Sequence, residues 1–170
     1  MICRSFEPVF DESARVLIVG SMPSVKSLED AQYYAHPRNA FWPILFDVFG
    51  EAPSRDYERK KALIRAHHLA LWDAAAVCER EGSLDTSIRH AVVNDFAQLL
   101  RECPGLRAIA HNGGESFKHS AAVRQQWSGA YPGAQVQSVR LPSTSPANAS
   151  WSFERKQTAW AELMAAHGLL

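Results

Sequence analysis

The residues with chemistry to offer gather in two neighbouring stretches. In the first, Gly20-Ser21-Met22-Pro23-Ser24, two hydroxyls flank a proline that stiffens the turn, so hydroxyls and loop N–H groups can be held towards a phosphate or a base edge. Shortly after come Tyr33 and Tyr34, then His36, Arg38 and Asn39, then the aromatic pair Phe41 and Trp42. A stacking ring, a cation and an amide thus lie within a few residues of one another. His36 and His111 have no partner at metal-ligand spacing, and Cys3, Cys78 and Cys103 are scattered, so neither a metal, an iron–sulfur cluster, a cofactor nor a disulfide framework is expected.

These loops need strands and helices to hold them. Residues 15–20 form a short β-branched run ending in glycine, the pattern of a buried parallel strand that delivers a loop at its carboxyl end, where open α/β sheets hold their ligands. Residues 68–73, 106–111 and 135–141 read as three more strands. Helices are expected over residues 39–49, stopped by Gly50, over 54–67 with Ser54 as N-cap, over 91–101, over 115–127 after Asn112-Gly113-Gly114, and over 152–167. The segment before Arg15 reads as a lead-in or edge segment, and residues 74–89 as loop with a turn of helix. Alternating strands and helices predict an α/β fold, a three-layer αβα sandwich around a four-stranded, mostly parallel sheet. Ser21–Ser24, Asp73, Asn112 and Ser143–Ser145 would then gather at one rim.

At 170 residues the chain suits a single domain spanning 1–170. Eighteen basic residues balance 18 acidic ones, so no global field draws the protein to nucleic acid and any such contact must rest on a local patch. The first ten residues carry charge and proline without a long apolar run, so neither a signal peptide nor a membrane span is expected. A reducing, cytoplasmic compartment, bacterial-type cytosol or nucleoid, fits the cysteine usage, and a monomer is expected.

The arrangement resembles the uracil-DNA glycosylase superfamily, and within it the hypoxanthine-DNA (deoxyinosine) glycosylase branch. That branch runs glycine-serine-x-proline-serine, then tyrosine-tyrosine, proline-x-asparagine and phenylalanine-tryptophan, matched here from Gly20 to Trp42. Leu141-Pro142-Ser143-Thr144-Ser145-Pro146-Ala147 is similar to the superfamily's proline-serine loop. Leu71-Trp72-Asp73, Cys78 and Gly82-Ser83-Leu84-Asp85 resemble the same branch, so the resemblance covers nearly the whole chain.

The resemblance implies a uracil-DNA glycosylase-like fold and a DNA glycosylase acting on deaminated bases, hypoxanthine first, with uracil or xanthine beside it, in double- or single-stranded DNA. Such an enzyme extrudes the nucleotide and grips its base in a pocket. Tyr34 would then be the stacking face and Asn39 the catalytic residue, holding water against the sugar carbon. Asp73 would read the ring N–H that hypoxanthine and uracil share and adenine lacks. Ser21, Met22 and Asn112 would complete the base site. Ser24, Arg38, Pro142, Ser143, Thr144, Ser145 and Asn148 would contact DNA, with Lys26, Lys118, Arg124 and Arg140 as further rim cations.

Each role has a plainer counterpart. The tyrosines can pack on the core, Asn39 can cap the following helix, Asp73 can cap a strand end, and the serine loop can be a rigid turn. The best-known uracil enzymes carry histidine where this chain has Leu141, so support for the departing base must come from elsewhere, such as backbone N–H groups or Asn112. No lysine stands in either motif to act as an amine nucleophile, which implies monofunctional hydrolysis. A noncatalytic binder of nucleic acid or a nucleobase is the alternative on the same fold.

Overall fold

The computed structural model describes residues 1–170. The strands are β1 (Ile2–Arg4), β2 (Val16–Gly20), β3 (Leu69–Asp73), β4 (Ala75–Glu79), β5 (Arg89–Val93), β6 (Ala108–Asn112) and β7 (Gln137–Leu141). The helices are α1 (Val25–Asp30), α2 (Phe41–Val48), α3 (Tyr57–Ala66), α4 (Ala97–Glu102), α5 (Gly114–Phe117), α6 (Ser120–Ala130) and α7 (Phe153–Ala166).

The central sheet runs β3-β2-β6-β7 with every pairing parallel. Strand alternation sends its side chains to two cores. Val16, Ile18, Leu69, Leu71, Ala108 and Ala110 pack with Phe41, Ile44, Leu45, Ile64 and Trp160 on the face covered by α2, α3 and α7. Leu17, Val19, Ala70 and Ile109 pack with Phe96, Leu99, Leu100, Val123 and Trp127 under α4 and α6 on the other. This is the expected αβα sandwich. Both layers are needed because each central strand is buried along its whole length, as in β2.

Three expectations are corrected. Residues 74–89 are not mainly loop: β4 leads through a 3₁₀ turn at Asp85–Ser87 to β5, and with β1 these strands make a second, antiparallel sheet in the order β1-β4-β5. Consequently the expected helix over 91–101 begins only at Ala97, because Ala91, Val92 and Val93 belong to a strand paired with β4. The expected helix over 115–127 is two, α5 and α6, broken at Lys118–His119. Smaller adjustments follow local capping. Ser24 caps the unforeseen α1, and Asp56, not Ser54, caps α3 by accepting from the Glu58 N–H. Ser152, where the last expected helix begins, is the N-cap of α7, accepting from the Arg155 N–H.

Candidate active site

Strand parity builds the site. Gly20, Asp73 and Asn112 end β2, β3 and β6 on the parity of Ile18, Leu71 and Ala110, so all three emerge on the α2/α7 side of the sheet. There they line one cavity of about 640 Å³ together with Tyr34, Asn39 and the loop from Pro142 to Ser145. Gly20 is required by close approach. A Cβ on it would lie 2.6 Å from the Tyr34 hydroxyl and closer still to Asp73 Oδ1, so glycine leaves room for both groups over the end of β2 at the cavity floor.

Tyr34 is held at φ 53, a left-handed conformation that a tyrosine seldom adopts. Its ring stacks on Phe41 with centroids 4.0 Å apart, and Phe41 is anchored in turn against Trp42 and Trp160. The Tyr34 hydroxyl is buried without a hydrogen-bond partner. Burial first, then the Asp73 charge, pushes that phenol well above its ordinary range. Tyr33 instead serves the core: it is buried, its hydroxyl donates to Glu7 O at 2.8 Å, and its carbonyl accepts from the Trp42 indole at 2.8 Å.

Asn39 lines the cavity and also caps. Its Oδ1 accepts from the Phe41 N–H at 3.0 Å, which fixes the amide plane and leaves Nδ2 without a partner in the protein. The two motifs are tied directly, since Ala40 N–H donates to Thr144 O at 3.0 Å.

Asp73 is 3% exposed, and its Oδ2 has no hydrogen-bond partner. Burial first, then the charge of Asp85, raises its carboxyl to about 7. Asp85 was not among the expected site residues. It lines the same cavity, accepts from Ser21 Oγ at 2.7 Å, and is itself raised, first by burial, with Ser21 opposing. The only earlier sign of it was the Gly82-Ser83-Leu84-Asp85 segment. Arg80, 2% exposed, sits behind the loop and donates from Nη2 to Pro23 O, while Val25 N–H donates to Ser83 Oγ at 2.8 Å. Through side chains alone, the strand-forming segment after Asp73 therefore clasps the Gly20–Val25 loop at three points.

The other expected residues divide. Ser21, Met22, Ser24, Asn112, Pro142, Ser143, Thr144, Ser145 and Asn148 all line the cavity. Met22, however, is buried in a small cluster with Cys3, Cys78 and Ile88. The Asn112 amide is committed to Thr144, donating to its Oγ1 at 2.9 Å and accepting from its N–H at 3.0 Å, so it clamps the second loop onto β6. Ser143 Oγ accepts from the Ser145 N–H, Ser145 Oγ from the Ala147 N–H, and Asn148 Nδ2 donates to Ser143 O; these side chains shape the turn. Arg38 is exposed and does not line the cavity. Lys26 and Lys118 pair with Asp30 and Glu115. Among the expected rim cations Arg140 alone lines the cavity, its guanidinium close against Gly114.

An aromatic ring, an amide and a carboxyl on the floor of a cavity at the carboxyl ends of a parallel sheet, rimmed by a hydroxyl-rich proline loop, make a pocket with the shape and polarity to suit a flat polar ring. The profile of the Uracil DNA glycosylase superfamily matches residues 7–164. A hypoxanthine DNA glycosylase of Methanosarcina acetivorans is 35% identical over 92% of this chain and 94% of its own, and that of Methanosarcina barkeri is 32% identical over 94% and 96%. The solution NMR structure of a uracil-DNA-glycosylase-like protein from Methanosarcina acetivorans superposes with a TM-score of 0.81 at 34% identity, covering 98% of each chain. The chain belongs to the Uracil DNA glycosylase superfamily.

Proposed function

We propose that the protein is a monofunctional DNA glycosylase that hydrolyses the N-glycosidic bond of hypoxanthine in DNA, with uracil and xanthine as slower substrates, as a first step of base excision repair. The observation that carries this reading is the convergence of Tyr34, Asn39 and Asp73, from three separate parts of the chain, on one cavity.

In this mechanism the target nucleotide leaves the stack and its base enters the cavity against Tyr34, where stacking contributes on the order of 1–3 kcal/mol. Asn39, its amide plane already set by the Phe41 N–H, holds a water molecule with the free lone pair of Oδ1. As the bond between the sugar C1′ and the base nitrogen breaks, its electron pair stays on the base. The water oxygen bonds to C1′, one water proton is released, and the base takes up one proton overall. An amide contributes position here more than basicity. The proline-serine loop and Arg140 hold the phosphates on either side.

The test is single-turnover cleavage of end-labelled duplexes and single strands carrying one hypoxanthine, uracil, xanthine or normal base, with alkali opening each abasic site. Hypoxanthine release by the wild type, lost in Asn39→Ala while DNA binding persists, is the expected result. A folded wild type that binds these DNAs and releases no base would replace this reading with a noncatalytic binder.

A further inference from the structure

We propose that Asp73 works as a carboxylic acid that donates a hydrogen bond to the departing base, and that Asp85 is the positioning residue that keeps it in that form. The proposal rests on the glycosylase reading above and supplies what the leucine at position 141 cannot, an electrophile for the leaving group. Leu141 is itself buried in the α2/α7 core, so a donor must come from another wall.

The geometry favours a neutral Asp73. Its Oδ2 is buried on the cavity floor, no protein group donates a hydrogen bond to its carboxyl, and no lysine, arginine or histidine forms an ion pair with it. A buried carboxylate without such partners gives up its charge by holding its proton. A second carboxyl, Asp85, is fixed on the same wall by Ser21, and two carboxylates in one site cannot both ionise freely.

The other groups whose charge Asp73 feels, or which feel its own, are the phenols of Tyr33 and Tyr34 from the motif loop, Tyr57 at the start of α3, and Arg80 beyond β4. Only Arg80 opposes protonation; its Nη2 donates to Pro23 O, its Nε and Nη1 have no partner, and it makes no ion pair with Asp73. The net result is the carboxyl raised to about 7, by burial first and Asp85 second.

The chemistry needs that proton. When the electron pair of the C1′–N bond moves onto the base, negative charge spreads to the ring carbonyl oxygen. A protonated Asp73 can donate to that oxygen, whereas an ionised one would repel it. The hydrogen bond persists through bond cleavage with the proton on Asp73, and the water attacking C1′ supplies the proton the base finally carries.

The experiment measures single-turnover hypoxanthine excision from duplex DNA between pH 5.5 and 9 for the wild type, Asp85→Asn and Asp73→Asn, together with a carbon-13 carboxyl titration of the wild type by NMR. The wild-type rate should fall about tenfold per unit as pH rises beyond about 7. Asp85→Asn still accepts from Ser21 but carries no charge, so its fall should begin at lower pH while its rate at the acid end approaches that of the wild type. Asp73→Asn, a permanent donor, should show no fall over the same range. An Asp73 carboxyl titrating at its ordinary value near 3.8, or a wild-type rate that is flat or rises from pH 6 to 8, overturns the proposal. So does an Asp85→Asn profile with an unmoved midpoint. Absence of excision from every substrate at every pH overturns the glycosylase reading instead, and the NMR titration then still decides the state of Asp73.

Discussion

β3 and β6 flank β2 on its two sides and reach the same rim, and each carries a buried titratable side chain in its last two residues, Asp73 at the end of β3 and His111 one before the end of β6. Parity separates them. Asp73 follows Leu71 onto the cavity face, while His111 follows Ile109 onto the α4/α6 face and does not line the cavity. His111 bonds Ser116 Oγ through Nδ1 at 2.8 Å, Ser116 passes its own proton to Val19 O at 2.6 Å, and the ring lies edge-on to Phe117. That relay fixes the tautomer with the hydrogen on Nδ1 and serves to pin α5 onto β2. Burial, the largest cause, lowers His111 to about 4 and keeps it neutral. Burial disfavours the charged form of both side chains, yet one is a strut and the other faces the cavity. Asp73 Oδ2 and His111 Nε2 are alike in being buried without a partner, and only the cavity tells the two residues apart.

The largest effect is expected at the third element of that rim. Asn39→Ala should lower single-turnover excision about 10²–10³-fold with DNA binding retained, and cost the fold only about 1 kcal/mol through the lost cap. Equal losses of activity and stability would reduce Asn39 to a helix cap.

Asp73→Asn should stabilise the protein. Its folded carboxyl is raised from 3.8 to about 7, so the folded state holds a proton that the unfolded chain releases, and wild-type stability falls as pH rises through that window. Thermal melts should show a gain for the variant that grows from pH 4 to 7 and levels off above, on the order of 2–4 kcal/mol. A gain independent of pH would mean that Asp73 is ionised throughout.

Asn112→Ala removes both bonds to Thr144 and should cost about 1–3 kcal/mol, with weaker DNA binding as the second loop comes free of β6. Unchanged denaturant midpoints would remove its role as a clamp.

The opposite sign is expected at His111. Its folded value lies below the ordinary 6.5, so the unfolded chain takes up the proton first and stability falls as pH drops from 6.5 to about 4. Comparing the wild type with His111→Gln at pH 7 and pH 5 should show about 1–2 kcal/mol less acid loss in the variant. Identical acid limbs would mean that another group carries the transition.

The central fold was legible because its strands are continuous apolar runs ended by glycine or polar residues: Val16–Gly20, Leu69–Asp73 and Ala108–Asn112 fall within two residues of the expected bounds. The second sheet was not. Ala91, Val92 and Val93 fit a helical face as well as a strand, and only pairing with β4, across two register shifts and with His90 at φ 53, decides for the strand. The same pairing delivers Asp85 and Arg80 to the pocket loop, a placement that no local pattern in the sequence signals. Arg38 shows the converse: beside Asn39 in the chain, it points out of the cavity because the turn before α2 aims successive residues in different directions.

By itself, the sequence determined the parallel αβα framework, the two motif loops and the residue types at the rim, because hydrophobic periodicity and turn-forming residues act locally and are written in order along the chain. Tertiary structure alone decided which of these residues share a surface. Strand parity set Asp73 and His111 on opposite faces, Gly20 left room for both Asp73 and Tyr34, and a second sheet placed one carboxyl within the field of another 12 positions later in the chain. Those outcomes depend on through-space distance and desolvation, neither of which is fixed until the chain has folded.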